Sequence, residues 1–264
     1  MKIKSIFIAA GLLLLITSCS GSKIINSGFN NLKIDIDGNR NDWKDKIYYQ
    51  EDGNYGLGVT NNDKFLNLIF ITSDRSTINK IVRMGFTVWF EAENGSDKFG
   101  LRFPINELPD KNMIHDFNLK KSKDNDQPEF INNALSHKNE FLIINEKEFP
   151  LYSYPVHNNI GIDLCMQYTT GQLIYELKIP TTNNNNVPFV LDASSGEIVE
   201  IGFETTEIEK SENGAGMKMG GDQGGRGRGM GKQGGGRRGG GDKIGGTNNQ
   251  DMKSQFEHSV RIKL

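Results

Sequence analysis

Two alternating ribbons, flanking Asn94-Gly95 and Thr170-Gly171, constrain this 264-residue chain more than any other feature. Asn-Gly is a strong two-residue hairpin turn because both positions accept positive φ. A turn centred there pairs Phe90 with Phe99, Trp89 with Gly100, Val88 with Leu101, Thr87 with Arg102 and Phe86 with Phe103. The apolar pairs then share one face, and Glu91 meets Lys98 on the other. A slip of one residue would scramble both faces. A turn at Thr170-Gly171 likewise sets Tyr168 against Leu173, Met166 against Tyr175, Leu164 against Leu177 and Ile162 against Ile179. Its other face carries Cys165 with Glu176 and Asp163 with Lys178. Two ribbons with one dry face each require a second layer to cover them.

Further strands follow from the same period. Leu32, Ile34 and Ile36 alternate with Lys33, Asp35 and Asp37, which predicts a strand with one wet face. Tyr55, Leu57 and Val59 predict another, and Phe65 to Ile71 is apolar on both faces, as in a central strand. Val199, Ile201 and Phe203 begin one more, and Phe256 to Leu264 alternates to the last residue. Helix is scarce: 128 to 137 begins with proline and carries Ile131 and Leu135 at helical spacing, and Ser76 to Met84 is a second candidate. The expected fold class is all-β, an antiparallel β-sandwich of jelly-roll or immunoglobulin-like architecture with one or two short helices.

The ends of the chain read differently. Lys2 and Lys4 precede the apolar run Ile6 to Ile16, which breaks into Thr17-Ser18-Cys19. That order resembles a bacterial lipoprotein signal peptide over 1–18, with Cys19 the lipidated first residue of the mature chain. The expected address is the bacterial cell envelope, anchored to the outer membrane through the lipid. Residues 19–30, rich in Ser, Gly and Asn, serve as a tether. With Cys19 acylated, Cys165 has no disulfide partner and reads as a small structural residue.

The sandwich is assigned to 31–210 plus 247–264, interrupted by a Gly/Arg-rich loop over 211–246 that is expected to be disordered. Residues 214–246 hold seven basic side chains against two acidic ones. The formal net charge of −2 becomes −4 once Lys2 and Lys4 leave with the signal, so the remainder of the mature chain carries −9 against +5 in the tract. The tract resembles RNA-binding RGG segments, but it holds no aromatic residue to stack on bases, and an exported lipoprotein seldom meets RNA. No nucleic-acid partner is expected; anionic envelope polymers or lipid head groups suit the tract better.

Ile36-Asp37-Gly38-Asn39-Arg40-Asn41-Asp42-Trp43 is similar to the Asp-Gly-x-x-x-Asp-x-Trp opening of family 9 carbohydrate-binding modules, part of the wider group of DOMON-like sandwiches. Ile174-Tyr175-Glu176-Leu177-Lys178-Ile179-Pro180 and Ile201-Gly202-Phe203 resemble later strands of that family, in the same order. The resemblance implies a non-catalytic module that could bind glycans. Its sugar-binding members clamp a sugar between two aromatic rings, and this chain has only Trp43 and Trp89.

Within this reading Trp43 is a core anchor. Trp89, with Glu91 and Arg102 beside it and Gly100 opposite, forms either a sugar platform or a shield for its glycine. Tyr152 and Tyr154 share a strand face and are either a stacking pair or edge packing. Asp35, Asp37 and Asp42 cluster oxygens of the kind Ca²⁺ takes, without EF-hand spacing; Asx turns that satisfy the local backbone are the favoured account of them. No other cofactor is expected. His115, His137, His157 and His258 are scattered, and no nucleophile elbow, phosphate loop or placed carboxylate pair appears, so no enzyme activity is expected. The alternative to glycan binding is a structural or assembly lipoprotein that contacts another envelope protein, with the basic loop as a flexible contact.

Overall fold

The structure, a computed structural model, describes residues 24–29, 33–50, 54–95, 98–106, 127–145, 152–182, 190–206 and 255–264. Among the described residues thirteen strands form two sheets. They are β1 (Ile24–Asn26), β2 (Gly28–Phe29), β3 (Ile47–Gln50), β4 (Tyr55–Asn61), β5 (Phe65–Thr72), β6 (Phe86–Ala92), β7 (Phe99–Arg102), β8 (Glu140–Asn145), β9 (Tyr152–Pro155), β10 (Asp163–Thr169), β11 (Gln172–Pro180), β12 (Ile198–Thr205) and β13 (Glu257–Lys263). The first sheet runs β1-β13-β12-β6-β7-β8-β9 and the second β10-β11-β5-β4-β2, with β3 also on β4. Their dry faces pack on one another in a single large core, so the chain is a β-sandwich.

Both hairpin registers match the sequence reading. Phe90↔Phe99 through Thr87↔Arg102 pair in the first, and the Phe103 amide donates to the Phe86 carbonyl at 2.8 Å. In the second, Asp163↔Lys178 through Thr169↔Gln172 pair across a two-residue loop in which Thr170 and Gly171 have φ of 49° and 80°. The inner faces meet through aromatic rings: Phe70 lies 5.0 Å from Phe86 and 5.4 Å from Phe203. β5 is buried on nearly its whole length, as a central strand would be.

Among the described residues there are two short α-helices. α1 (Arg75–Met84) is capped by Asp74, whose carboxylate accepts from the Thr77 amide at 2.7 Å, and it ends at Gly85 with φ 87°. α2 (Gln127–Ser136) buries Ile131 and Leu135 and is tied to β10 by Asn132, which both donates to and accepts from the Tyr168 backbone.

Three readings need correction. Residues 24–29, placed in the tether, form β1 and β2, which add to the two sheets in parallel, so the sandwich is not antiparallel throughout. Described residues 33–36 form no strand. Ile34 is buried and Ile36 half-buried, as the alternation requires, but the segment lies across the outer face of the second sheet instead of joining its ladder. Glu176, placed opposite Cys165 on the face read as charge-paired, is fully buried beneath that segment.

Candidate functional site

The outer face of the first sheet is built around Trp89. Register places Trp89 between Gly100 on β7 and Gly202 on β12, with Ser259 on β13 beyond Gly202. The indole leans over Gly100: a Cβ added there would fall 2.8 Å from Trp89 Cε3 and 2.9 Å from Thr87 Cγ2. Gly100 is therefore a position where bulk is excluded by the ring itself. On the other side, Gly202 and Ser259 leave the floor low, and a groove of about 370 Å³ opens between the indole and β13. That is within the range of small-ligand sites.

Charge is arranged in two rows across this floor. Glu91 faces Glu200 on one side, and Glu204 faces Glu257 on the other. Strand rise separates the two rows by about 13 Å, four residues along β12. Two basic residues share this lining: His258, whose ring packs on Phe256 at 4.8 Å, and Lys98, whose Nζ stands 5.0 Å from the Trp89 ring centroid. Sequence reasoning identified Trp89 and Glu91 but not the β12 and β13 glutamates. The signal was present in the spacing of Glu200, Gly202 and Glu204, and only the pairing of β12 with β6 brings it beside the indole.

The other site residues separate from this groove. Arg102 shares the outer face but donates from Nε to Thr87 Oγ1 at 3.1 Å and lies beside the groove wall. Burial lowers its guanidinium from the ordinary value, and Glu204 opposes that shift. Tyr152 and Tyr154 lie on the opposite face. Arg102 aligns with Leu142 and then Ser153, so the tyrosines alternate to the inner side. There Tyr154 stacks on Phe141 at 5.9 Å, and Tyr152, 36% exposed, faces Ile143 at the sheet edge. The five residues grouped from the sequence therefore cannot close on one ligand.

The Asp-Gly-x-x-x-Asp-x-Trp segment builds a second constellation, on the outer face of the second sheet. Gly38 adopts φ +80° and packs against β10, where a Cβ would meet Gln167 Cβ at 2.8 Å and Cys165 Sγ at 3.2 Å. Asn39 caps the short 3₁₀ turn Arg40–Asp42, which delivers Trp43 into a small core with Ile34, Ile69, Ile71 and Ile174. Trp43 Nε1 donates to Glu176 Oε1 at 2.6 Å, and the Gly38 and Asp37 amides donate to Oε2 at 2.6 and 3.0 Å. Burial outweighs these three donors and raises the Glu176 carboxyl above its ordinary value. Trp43 is thus an anchor, as expected, but it covers a sheet face, and its partner Glu176 was missed.

The three aspartates of the proposed Ca²⁺ cluster are engaged locally. Asp35 pairs with Lys33 at 2.5 Å, Asp37 accepts from the Asn39 amide at 2.9 Å, and Asp42 accepts from the Asp35 amide at 3.1 Å. Among the described residues no group of three or more His, Cys, Asp or Glu side chains suits a metal ion. Cys165 is half-buried beneath this loop, and burial, then Glu176 and Asp37, push its thiol up to about 11, well away from a reactive thiolate. Cys19, His115 and the 211–246 loop lie outside the described residues. Among the described residues no helix is long and apolar enough to cross a membrane.

No protein-family model matches this chain, and no curated protein matches it. Among solved structures it is similar to a family 9 carbohydrate binding module from Caldicellulosiruptor kristjanssonii in complex with glucose, at 12% identity and TM-score 0.34, covering 72% of this chain and 81% of that one. The same module in complex with cellotriose aligns at 12% identity and TM-score 0.35, covering 72% and 79%. At these values the site has to be read from this chain's own residues.

Proposed function

We propose that this protein is a non-catalytic saccharide-binding lipoprotein of the bacterial cell envelope, anchored in the outer membrane through Cys19, and that it binds its glycan in the Trp89 groove. The observation that carries this reading is an indole wall beside the Gly202 floor, with carboxylates on both sides of it. The apolar C–H face of a sugar ring packs on an indole, and carboxylates accept from its hydroxyls. Glu91, Glu200 and Glu257 are exposed on an open sheet face, where the hydroxyls of a bound sugar can reach them. The motif order from Asp37 to Phe203 supports the same class.

Retention on insoluble glucans and a glycan array tests the binding. Trp89→Ala is expected to lose about tenfold or more in affinity, the scale of one aromatic stacking contact. Retention equal to wild type would remove the groove. For the anchor, mass spectrometry of the mature N-terminus should find diacyl or triacyl Cys19, and an unmodified cysteine there defeats the lipoprotein reading.

A second reading is favoured by the β2–β3 edge of the second sheet, beyond which no further strand pairs among the described residues. Phe29, Tyr48 and Tyr49 are 57%, 50% and 65% exposed along β2 and β3, with Tyr48 and Tyr49 on opposite faces of that edge, apolar surface suited to another envelope protein. Under that reading no glycan is retained, and Tyr49→Ala weakens association with the protein partner.

A further inference from the structure

We infer that the Trp89 groove selects saccharides carrying a free, protonated amine over neutral and acidic ones, a conclusion that rests on the groove being a saccharide site. Its lining has four carboxylates against the single ammonium of Lys98. Glu91↔Glu200 and Glu204↔Glu257 stand directly opposite one another across the ladders, and with Lys98 in the same lining and Arg102 acting on Glu204 the carboxylates still outnumber the cations around them. Arg261, opposite Glu200, is committed to Glu93 at 3.3 Å. Among the described residues none of the four lining glutamate side chains has a hydrogen bond or an ion pair. The chain itself already seats an ammonium against the indole, Lys98 Nζ at 5.0 Å, so the wall is suited to that group.

A cationic saccharide fits this surface better than a basic peptide. The groove lies on a sheet face whose strands β12 and β6 are hydrogen-bonded on both sides, so an extended peptide finds no backbone edge to pair with. A sugar needs none: its ring stacks on Trp89, its hydroxyls reach Ser259, and its amine sits between carboxylates. Uronic, sulfated and phosphorylated glycans are repelled by the same charge.

Calorimetry on the mature full-length protein should compare three trisaccharides of one linkage and ring shape: β-1,4-linked glucosamine, its N-acetylated form and cellotriose. Glu204→Gln/Glu257→Gln removes one carboxylate pair from exposed or half-exposed strand positions without touching the core. The free-amine trisaccharide is expected to bind about tenfold tighter than the other two, the worth of one charge-assisted contact. In the double variant the ratio of the amine trisaccharide's affinity to that of cellotriose should fall to about twofold or less. Equal affinities for the amine and neutral trisaccharides would overturn the preference while leaving the saccharide reading intact. Binding of none of the three would end both. Trilysine bound as tightly as the amine trisaccharide would also overturn it, since the groove would then recognise cations without the sugar.

Discussion

Trp43→Ala should lower the free energy of unfolding by about 3–5 kcal/mol, the range for removing a fully buried aromatic side chain. In a sandwich of this size that corresponds to a fall of roughly 10 °C or more in melting temperature. The cost has two sources. Trp43 is 0% exposed and fills the small core between the 34–43 segment and the second sheet, resting over Gly58, where a Cβ would lie 2.9 Å from its ring. Its indole N–H also occupies one oxygen of a buried carboxylate, which would be left without that donor. Thermal unfolding followed by near-ultraviolet circular dichroism measures this directly. A loss under 1 kcal/mol would mean that the segment does not seal the sheet.

Glu176→Ala is the second large effect, about 3 kcal/mol, because three donors lose their shared acceptor at once. It should be strongly non-additive with Trp43→Ala, since the two side chains belong to one network. It also carries a pH signature. Burial holds the folded-state carboxyl above its unfolded value, so its protonated form is the one favoured by folding. That contribution is fully present below the unfolded value and is lost as pH rises through the raised, native one. Wild type should therefore show a decline in stability across that window that Glu176→Ala lacks. Denaturant titrations at a series of pH values supply the comparison, and parallel pH profiles for the two proteins would contradict it.

What could be read from the sequence follows from the reach of each signal. The hairpins of β6-β7 and β10-β11 were legible because a two-residue turn and a period of two leave one acceptable register. The 34–43 segment was legible in its burial but not in its partner. Alternation of Ile34 and Ile36 with charged residues fixes which side chains are covered, and it says nothing about whether the cover is a ladder or a sheet face. Glu176 illustrates the same gap, since a carboxylate opposite Cys165 looks solvated until a loop from 133 positions away in sequence closes over it. The candidate site was half visible. Trp89 and Glu91 sit on one hairpin, whereas Glu200, Glu204 and Glu257 arrive through pairings of high sequence separation. Tyr152 and Tyr154 were grouped with Trp89 because strand period alone cannot tell which face of which sheet a new strand presents.

The two tryptophans make the central claim accessible to one measurement. Trp43 is sealed, with its N–H on Glu176, and Trp89 walls the groove. In ¹H–¹⁵N spectra of the mature protein, assigned with Trp89→Phe, titration with the saccharide retained on the array should move the Trp89 indole N–H resonance progressively to saturation and leave that of Trp43 in place. A saturable shift at Trp43 with Trp89 unmoved, or binding with neither resonance moved, would contradict a groove on the outer face of the first sheet.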